Sequence, residues 1–334
     1  MKKLLTYIAY LIVMKSFFAQ DIHWSQFDFN PVFQNPANVG QFDNGDWRFH
    51  ANYRDQWRSV TVPFQTFNLS ADGKSVFHDD LSLGAYFFHD VAGDGRFRTI
   101  ELQPSFSWLW RLSNDSMHVL RTGAQFGINY RQFDPTQFTF DSQWNGAFFD
   151  PSLPTNEMFL SENVFNLSAG VGVIYEYFQS RRARFTIGTG LFNIMRPNQG
   201  FFVEDIPREL RWNFYGRGQY KIDLDWDILP SFQVNIQDSH REFIIGSQAR
   251  YILVDRMGEY RALFGGLYHR VGDAFYIMGG MEWQNWWAGI SYDVNVSSLA
   301  VASRGRGGIE FSLRYVINRI KPKNIIYRVC PDYI

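Results

Sequence analysis

Through most of its length the chain alternates apolar and polar residues in segments of roughly ten, separated by turn residues. This period of two is that of a β-strand, whose successive side chains point to opposite faces. Within 119–131, one face carries Leu120, Thr122, Ala124, Phe126, Ile128 and Tyr130, and the other Arg121, Gly123, Gln125, Gly127, Asn129 and Arg131. Residues 164–177 repeat the pattern, with Phe165, Leu167, Ala169, Val171, Val173 and Tyr175 set against Asn166, Ser168, Gly170 and Gly172. Residues 226–237 do so again, with Trp226, Ile228, Phe232, Val234 and Ile236 against Gln233, Asn235 and Gln237. About fourteen segments behave this way: 46–56, 63–73, 81–91, 97–111, 118–132, 163–178, 183–193, 209–220, 226–237, 241–253, 260–270, 273–283, 286–295 and 305–316.

The residue types on the two faces decide the environment. A soluble sandwich or propeller would put charge on its outward face. Here the polar face is largely Gly, Ser, Asn, Gln and Arg, and the other is aromatic and aliphatic. That combination predicts a polar lumen and a lipid-facing exterior: an all-β fold, specifically a transmembrane antiparallel outer-membrane β-barrel of about 14 strands. In lipid an open sheet edge finds no water, so the ring must close. Loop lengths agree with the count. The longest connections, 133–162 and 194–208, are the fifth and seventh, both odd, which places them on one face. In a chain that starts in the periplasm, that face is extracellular. The alternation also assigns Ile128 and Val171 to lipid and Gln125 to the lumen, where an arginine is expected to be better tolerated.

Composition supports a membrane barrel. Aromatic residues make up 18% of the 334 residues, with 33 Phe, 17 Tyr and 11 Trp. That is more than a soluble core needs, but it suits lipid-facing strands with aromatic girdles. No apolar run long enough for a transmembrane helix follows residue 18. The formal net charge of -1 gives no reason to expect nucleic acid as a partner. Lys2 and Lys3, the apolar stretch from Leu4 to Val13 and Ala19 read as a secretory signal peptide, 1–19. The single cysteine, Cys330, makes no internal disulfide. The expected organisation is therefore a signal peptide, a periplasmic or lumen-filling segment 20–44, a barrel 45–316 and a periplasmic tail 317–334.

Candidate chemistry is sparse. The histidines His23, His50, His78, His89, His118, His240 and His269 are scattered, and no hydrolase, nucleotide or zinc motif is present. No catalytic, cofactor-binding or metal-binding residue is assigned, and no cofactor is expected. Asp134, Asp141, Asp150 and Glu157 do not match a calcium-loop spacing. The connection 133–162 holds Phe133, Phe138, Phe140, Trp144, Phe148, Phe149 and Phe159. Two readings fit it: a lid packed on itself, or an exposed partner-binding surface. The inward faces read as neutral to basic and rich in glycine (Gly123, Gly127, Gly170, Gly172, Gly188, Gly190), leaving room for a filler. The segment 21–44, with Trp24, Phe27, Phe29, Phe33 and Phe42, is the candidate. The tail carries Arg319, Lys321, Lys323 and Arg328 against the single acid Asp332.

Several short motifs together resemble a known family. They are His23-Trp24-Ser25-Gln26-Phe27, then Asn35-Pro36-Ala37 and Gly40, then Tyr53-Arg54-Asp55-Gln56-Trp57 with Val62-Pro63-Phe64. Later come Phe149-Asp150-Pro151-Ser152-Leu153-Pro154, Arg196-Pro197-Asn198-Gln199, the run Gly289 to Ser297, and Cys330-Pro331. In order and spacing the chain resembles the PorP/SprF family of type IX secretion system membrane proteins of Bacteroidota. The resemblance implies a non-enzymatic role: anchoring or assisting export of a large secreted surface protein by its C-terminal domain, as for gliding adhesins, or contact with periplasmic type IX components. With outer-membrane lipids, these are the expected partners. Phe138, Trp144, Phe148, Phe149, Arg319, Lys321 and Lys323 are the candidate partner-binding residues. The rival function is an outer-membrane pore or transporter for small solutes or hydrophobic compounds, which an open lumen lined by Arg121, Arg131, Arg217 and Lys221 would favour.

Overall fold

The computed structural model describes residues 21–317, apart from 44, 57, 59–61, 94, 203–205, 257, 298 and 299. Residues 1–20, where a signal peptide is expected, and the tail residues beyond Ile317, with Arg319, Lys321, Lys323 and Cys330, lie outside the described residues. Fourteen strands form one closed antiparallel barrel in which each strand pairs with its sequence neighbours and β1 closes on β14. They are β1 (Trp47–Gln56), β2 (Phe64–Gly73), β3 (Leu81–Ala92), β4 (Phe97–Arg111), β5 (His118–Gln132), β6 (Asn163–Ser180) and β7 (Ala183–Phe192). The ring continues with β8 (Arg211–Lys221), β9 (Trp226–Gln237), β10 (His240–Arg256), β11 (Glu259–Arg270), β12 (Ala274–Trp283), β13 (Trp286–Asn295) and β14 (Arg306–Ile317). Strand number and order match the alternation in the sequence, and most ends fall within three residues of it. The helices among the described residues are single turns, none long and apolar enough to cross a membrane.

The barrel is inside out relative to a soluble protein. Phe106, Phe126, Val171, Leu267 and Ile277 face outward and are exposed, whereas Gln103, Gln125, Asn129, Ser168 and Glu176 face inward and are buried. Such an exterior is stable only in lipid. Pro104 and Pro230 sit in β4 and β9, where a missing N–H weakens a ladder. Each pairs on one side, with Ala85 and Ser247, while the register on the other side skips it.

The odd connections share one rim. There the Leu160 N–H donates to Phe201 O at 2.9 Å, joining the β5–β6 and β7–β8 loops. At the opposite rim the turns are short, and Trp108, Trp110, Trp226, Trp283, Trp286 and Tyr315 cluster near the strand ends, as in an interfacial aromatic girdle.

Candidate functional site

Residues 21–43 run through the lumen. Asp21 lies at the long-loop rim, where its N–H donates to Gln237 Oε1 at 2.8 Å and its carboxylate accepts from Arg208 Nε at 2.7 Å. Arg208 also donates to Glu101 Oε1 at 2.6 Å, tying the β7–β8 loop to the segment and to the wall. From there the chain descends to the short-turn rim and enters β1. Pro31 and Pro36 each start a short helical turn, where a missing N–H costs nothing, and Asn35 caps the second by accepting from Ala37 N–H at 2.9 Å.

The segment is bonded to the wall at three levels. In the long-loop half, the N–H groups of Ser25 and Gln26 donate to the two Glu310 carboxylate oxygens at 2.8 and 3.0 Å. Ser25 Oγ donates to Asp293 at 2.7 Å and accepts from Arg54 at 2.8 Å and Arg270 at 3.0 Å. Arg54 completes the network with Asp293 at 2.9 Å and Glu310 at 3.2 Å. Two guanidiniums and two carboxylates thus converge on one buried serine, and Arg270 also pairs with Glu242 at 3.4 Å and Asp273 at 3.0 Å. Removing one member of such a buried ionic set costs about 3–5 kcal/mol, because its partners keep their charge without compensation. Because β1 supplies Arg54 and β14 supplies Glu310, this cluster spans the seam at which the ring closes.

At mid-height the aromatic residues of the segment pack against rings of the wall. Phe29 stacks on Trp287 with centroids 3.7 Å apart, Phe33 lies 5.7 Å from Phe88, and Phe27 meets Tyr268 edge-on. Polar contacts fill the gaps: Asn68 Nδ2 donates to Asn30 Oδ1, Gln34 to Gln233, and Ser231 to Asp28.

Asn35-Pro36-Ala37 presses against the wall where two glycines make room. A Cβ on Gly172 would collide with the Asn35 side-chain amide, and one on Gly123 with the backbone of Pro36 and Ala37. Asn35 Nδ2 donates to Thr189 O at 2.9 Å, a carbonyl of the wall itself. In the short-turn half, Tyr215 donates to Asn38 Oδ1 at 2.7 Å, Ser107 to Val39 O at 2.6 Å, and Gly40 N–H to Asp72 at 2.7 Å, with Arg48 paired to Asp72.

The loop 133–162 divides into two parts. Phe133, Phe138, Phe140 and Phe159 pack with one another and with Phe97, Phe201 and Phe202 of neighbouring outer segments. The remainder forms a small hairpin closed by a Trp144–Phe149 bridge over the Asn145-Gly146 turn, with Gly146 at φ +97°. On it Trp144 is 58% exposed, Phe148 61% and Phe149 39%. Asp134 and Asp150 each receive N–H and O–H bonds from Thr136 and Ser152, which hold both carboxyls below their usual range. Their oxygens serve turns, and no group of three or more candidate metal ligands occurs among the described residues.

The His23–Phe27 motif and the Gly289–Ser297 run, far apart in sequence, therefore meet in one place. Ser25, Gln26, Asn35, Arg54, Ser291 and Asp293 all belong to the packing between the lumen segment and the wall. A family model described as "Type IX secretion system membrane protein PorP/SprF" matches residues 16–315. The chain belongs to the PorP/SprF family. No curated protein matches it. Among solved structures, the Pseudomonas putida toluene transporter TodX is similar at a TM-score of 0.51 and 9% identity, over 86% of this chain and 93% of that one. A Pseudomonas aeruginosa FadL homologue is similar at 0.40 and 10% identity, over 85% and 92%. The TodX likeness is one of fold: an outer-membrane β-barrel.

Within this PorP/SprF barrel the sequence-derived site residues separate. Trp144, Phe148 and Phe149 share the exposed hairpin, while Phe138 is part of the packed cluster. The arginines expected to line an open pore are engaged: Arg121 lies 3.9 Å from Glu176, Arg131 donates to Gln199 Oε1 at 2.6 Å, and Arg217 donates to Gln41 of the lumen segment. The inward face is not simply neutral to basic. Asp72, Glu101, Glu176, Asp227, Glu242, Asp293 and Glu310 are all buried there. The signal for them was present, since each occupies the same strand face as the Gly, Ser and Gln positions. Gln125 is also buried, and a Cβ on Gly170 would lie 3.3 Å from its Cγ. An arginine at that position would have to displace neighbours of a buried side chain, which weighs against the sequence expectation.

Proposed function

We propose that this protein is a closed outer-membrane barrel of the type IX secretion system that holds or assists one secreted surface protein at its extracellular rim, without catalysis and without conducting solutes. The observation that carries this reading is the lumen segment, hydrogen-bonded to the wall at every level from Asp21 to Gly40. A solute pore needs an aqueous path, and here the polar lumen side chains are spent on an internal segment. The long-loop rim then remains as the working surface, with the exposed hairpin of Trp144, Phe148 and Phe149 as its contact and the C-terminal domain of the secreted protein as its partner. The basic tail, with Arg319, Lys321 and Lys323, serves as a contact to periplasmic type IX components.

The test compares surface proteins of intact cells carrying the wild-type gene, a deletion, and Trp144→Ala/Phe148→Ala. The protein lost from the surface in the deletion strain is the partner. It should also be lost, or released to the medium, in the double variant, while barrel levels stay normal. Normal retention by the double variant would refute the hairpin as the contact. Planar-bilayer recordings address the rival: large steady conductance from the intact protein would favour a pore. Truncation after Ile317 should leave insertion intact and abolish display; normal display would remove the tail from this account.

A further inference from the structure

The exposed hairpin has a chemical bias that its aromatic content conceals. From Phe133 to Glu162 the loop contains Asp134, Asp141, Asp150, Glu157 and Glu162 and neither lysine nor arginine. Among the described residues, none of these five carboxylates forms an ion pair, although the same structure pairs Asp21, Asp72, Glu101, Asp227, Asp293 and Glu310 with arginines. Nor, among the described residues, does any cation sit over Trp144, Phe148 or Phe149, whereas Phe33, Phe42 and Trp283 each have at least one. Asp134 and Asp150 are held in the ionised form by their own turns. Asp141, Asp150 and Glu157 flank in sequence the hairpin that presents Trp144, Phe148 and Phe149.

Aromatic faces beside Asp141, Asp150 and Glu157, with no cation paired to either among the described residues, match one kind of partner group. A guanidinium or ammonium stacks on an aromatic face and pairs with a carboxylate at the same time, and its alkyl stem covers apolar surface. An acidic or neutral partner would leave the charges unanswered and would meet repulsion on approach. We infer that the hairpin of loop 133–162 docks an arginine- and lysine-rich face of a protein partner, with Trp144, Phe148 and Phe149 stacking on the cationic side chains and Asp141, Asp150 and Glu157 pairing with them. This rests on the reading of the hairpin as a partner surface and specifies the chemistry of that partner.

The probes are two labelled peptides of equal length, one alternating arginine and serine, the other glutamate and serine. They are titrated by fluorescence anisotropy into the full-length protein in neutral detergent. The arginine peptide should bind, and the glutamate peptide should not. Binding should weaken roughly tenfold in Trp144→Ala/Phe148→Ala and by a similar factor in Asp141→Asn/Asp150→Asn/Glu157→Gln. Raising the salt from about 50 mM to about 500 mM should weaken the wild type strongly and the carboxamide variant little. Equal binding of the arginine peptide by the wild type and the carboxamide variant, or equal binding of both peptides, would overturn the inference.

The surface-retention assay separates the two readings. If the carboxamide variant retains the partner while the aromatic variant loses it, the hairpin remains the contact and the basic partner face falls. Loss in both variants supports both readings, and retention in both rejects both.

Discussion

The lumen segment 21–43 and the outer loop 133–162 look alike as sequence and behave oppositely as structure. Both lack strands, contain proline and asparagine, and are rich in aromatics. In the lumen segment Trp24, Phe27 and Phe33 are buried, and Asn30, Asn35 and Asn38 each have a partner. In the loop, four phenylalanines bury themselves against neighbouring loops while Trp144, Phe148 and Phe149 stay outside. The difference lies in what accompanies the aromatics. The segment sets them among amides and hydroxyls (Ser25, Gln26, Asn30, Gln34, Asn35, Asn38), which a polar lumen can satisfy one by one, and its acids are answered inside the molecule, Asp21 by Arg208, Asp28 by Ser231 and Asp43 by Arg184. The loop sets them among carboxylates with no ion-pair partner among the described residues, which remain in water unless a cation reaches them. Aromatic content therefore marks a segment as unsuited to disorder, and its polar residues indicate where it is placed.

The largest effect that would break this comparison is removal of the segment. Deleting 21–43 should convert a silent barrel into one with steady single-channel conductance, or stop assembly altogether. A deletion that inserts and stays silent would show that side chains of the wall seal the lumen without help. Gly172→Leu is a subtler route to the same end, because its side chain must occupy the space of the Asn35 amide. It should give conductance or poor heat-modifiable folding, while a leucine at Gly146, which has open space around it, should not, apart from strain at φ +97°.

Next in size is the buried ionic cluster. Glu310→Ala leaves Arg54 beside Asp293 alone and frees two N–H groups of the segment. A loss of about 3–5 kcal/mol is expected, read as a lower unfolding midpoint in urea with lipid vesicles. Ser25→Ala should cost less, since the charges still pair with each other. Equal losses would mean that the serine, not the charge balance, holds the seam. On the lipid side, Val171→Arg should cost roughly 2–4 kcal/mol near the midplane. Gln125→Arg no longer serves as a mild control, because that side chain is buried. Asn145→Cys and Met195→Cys, each in a Cys330→Ser background, should both be labelled on intact cells by a membrane-impermeant reagent. Labelling of only one would contradict the shared rim of the two loops. Met195 is exposed, whereas the nearby Asn198 side chain accepts from the Gly200 and Ile206 N–H groups and shapes its loop.

The wall of this molecule could be read from sequence because its rule is local. Lipid outside and polar packing inside repeat every second residue, so Phe126 next to Gln125 is already an orientation. The lumen contacts could not be read in this way. Ser25 reaches Asp293 and Glu310 only after the ring has closed, across sequence separations of 268 and 285. The room left by Gly123 and Gly172 suggested that something occupies the lumen, but the choice of Asn35 and Ala37 as occupants depends on register around six or seven strands. The inward carboxylates were overlooked for a simpler reason. Each is a lone acid among glycines and amides, and its arginine lies on another strand or in a loop. The split of the outer loop was legible only in part, since Phe201 and Phe202, which complete its packed half, come from the next long loop.

The smallest expected effect concerns that split. Phe140 and Phe159 lie 6.3 Å apart within the packed half, and Phe159 also lies 5.0 Å from Phe133 and 5.1 Å from Phe202. Aromatic pairs of this kind contribute about 0.5–1.5 kcal/mol beyond area burial. Phe140→Ala/Phe159→Ala should therefore loosen the loop without unfolding the barrel, and a protease added to intact cells should cut within 133–162 several times faster. Trp144→Ala/Phe148→Ala should leave the cutting rate nearly unchanged, because these rings are exposed and touch little of the chain, and exposed substitutions of this sort shift stability by no more than about 0.5 kcal/mol. The two double variants then exchange roles in the binding assays: the hairpin pair loses the partner at normal protease resistance, and the packed pair loses resistance first. If both pairs accelerated proteolysis equally, the hairpin would be part of the packed lid, and the loop would resemble the lumen segment more closely than its exposed rings suggest.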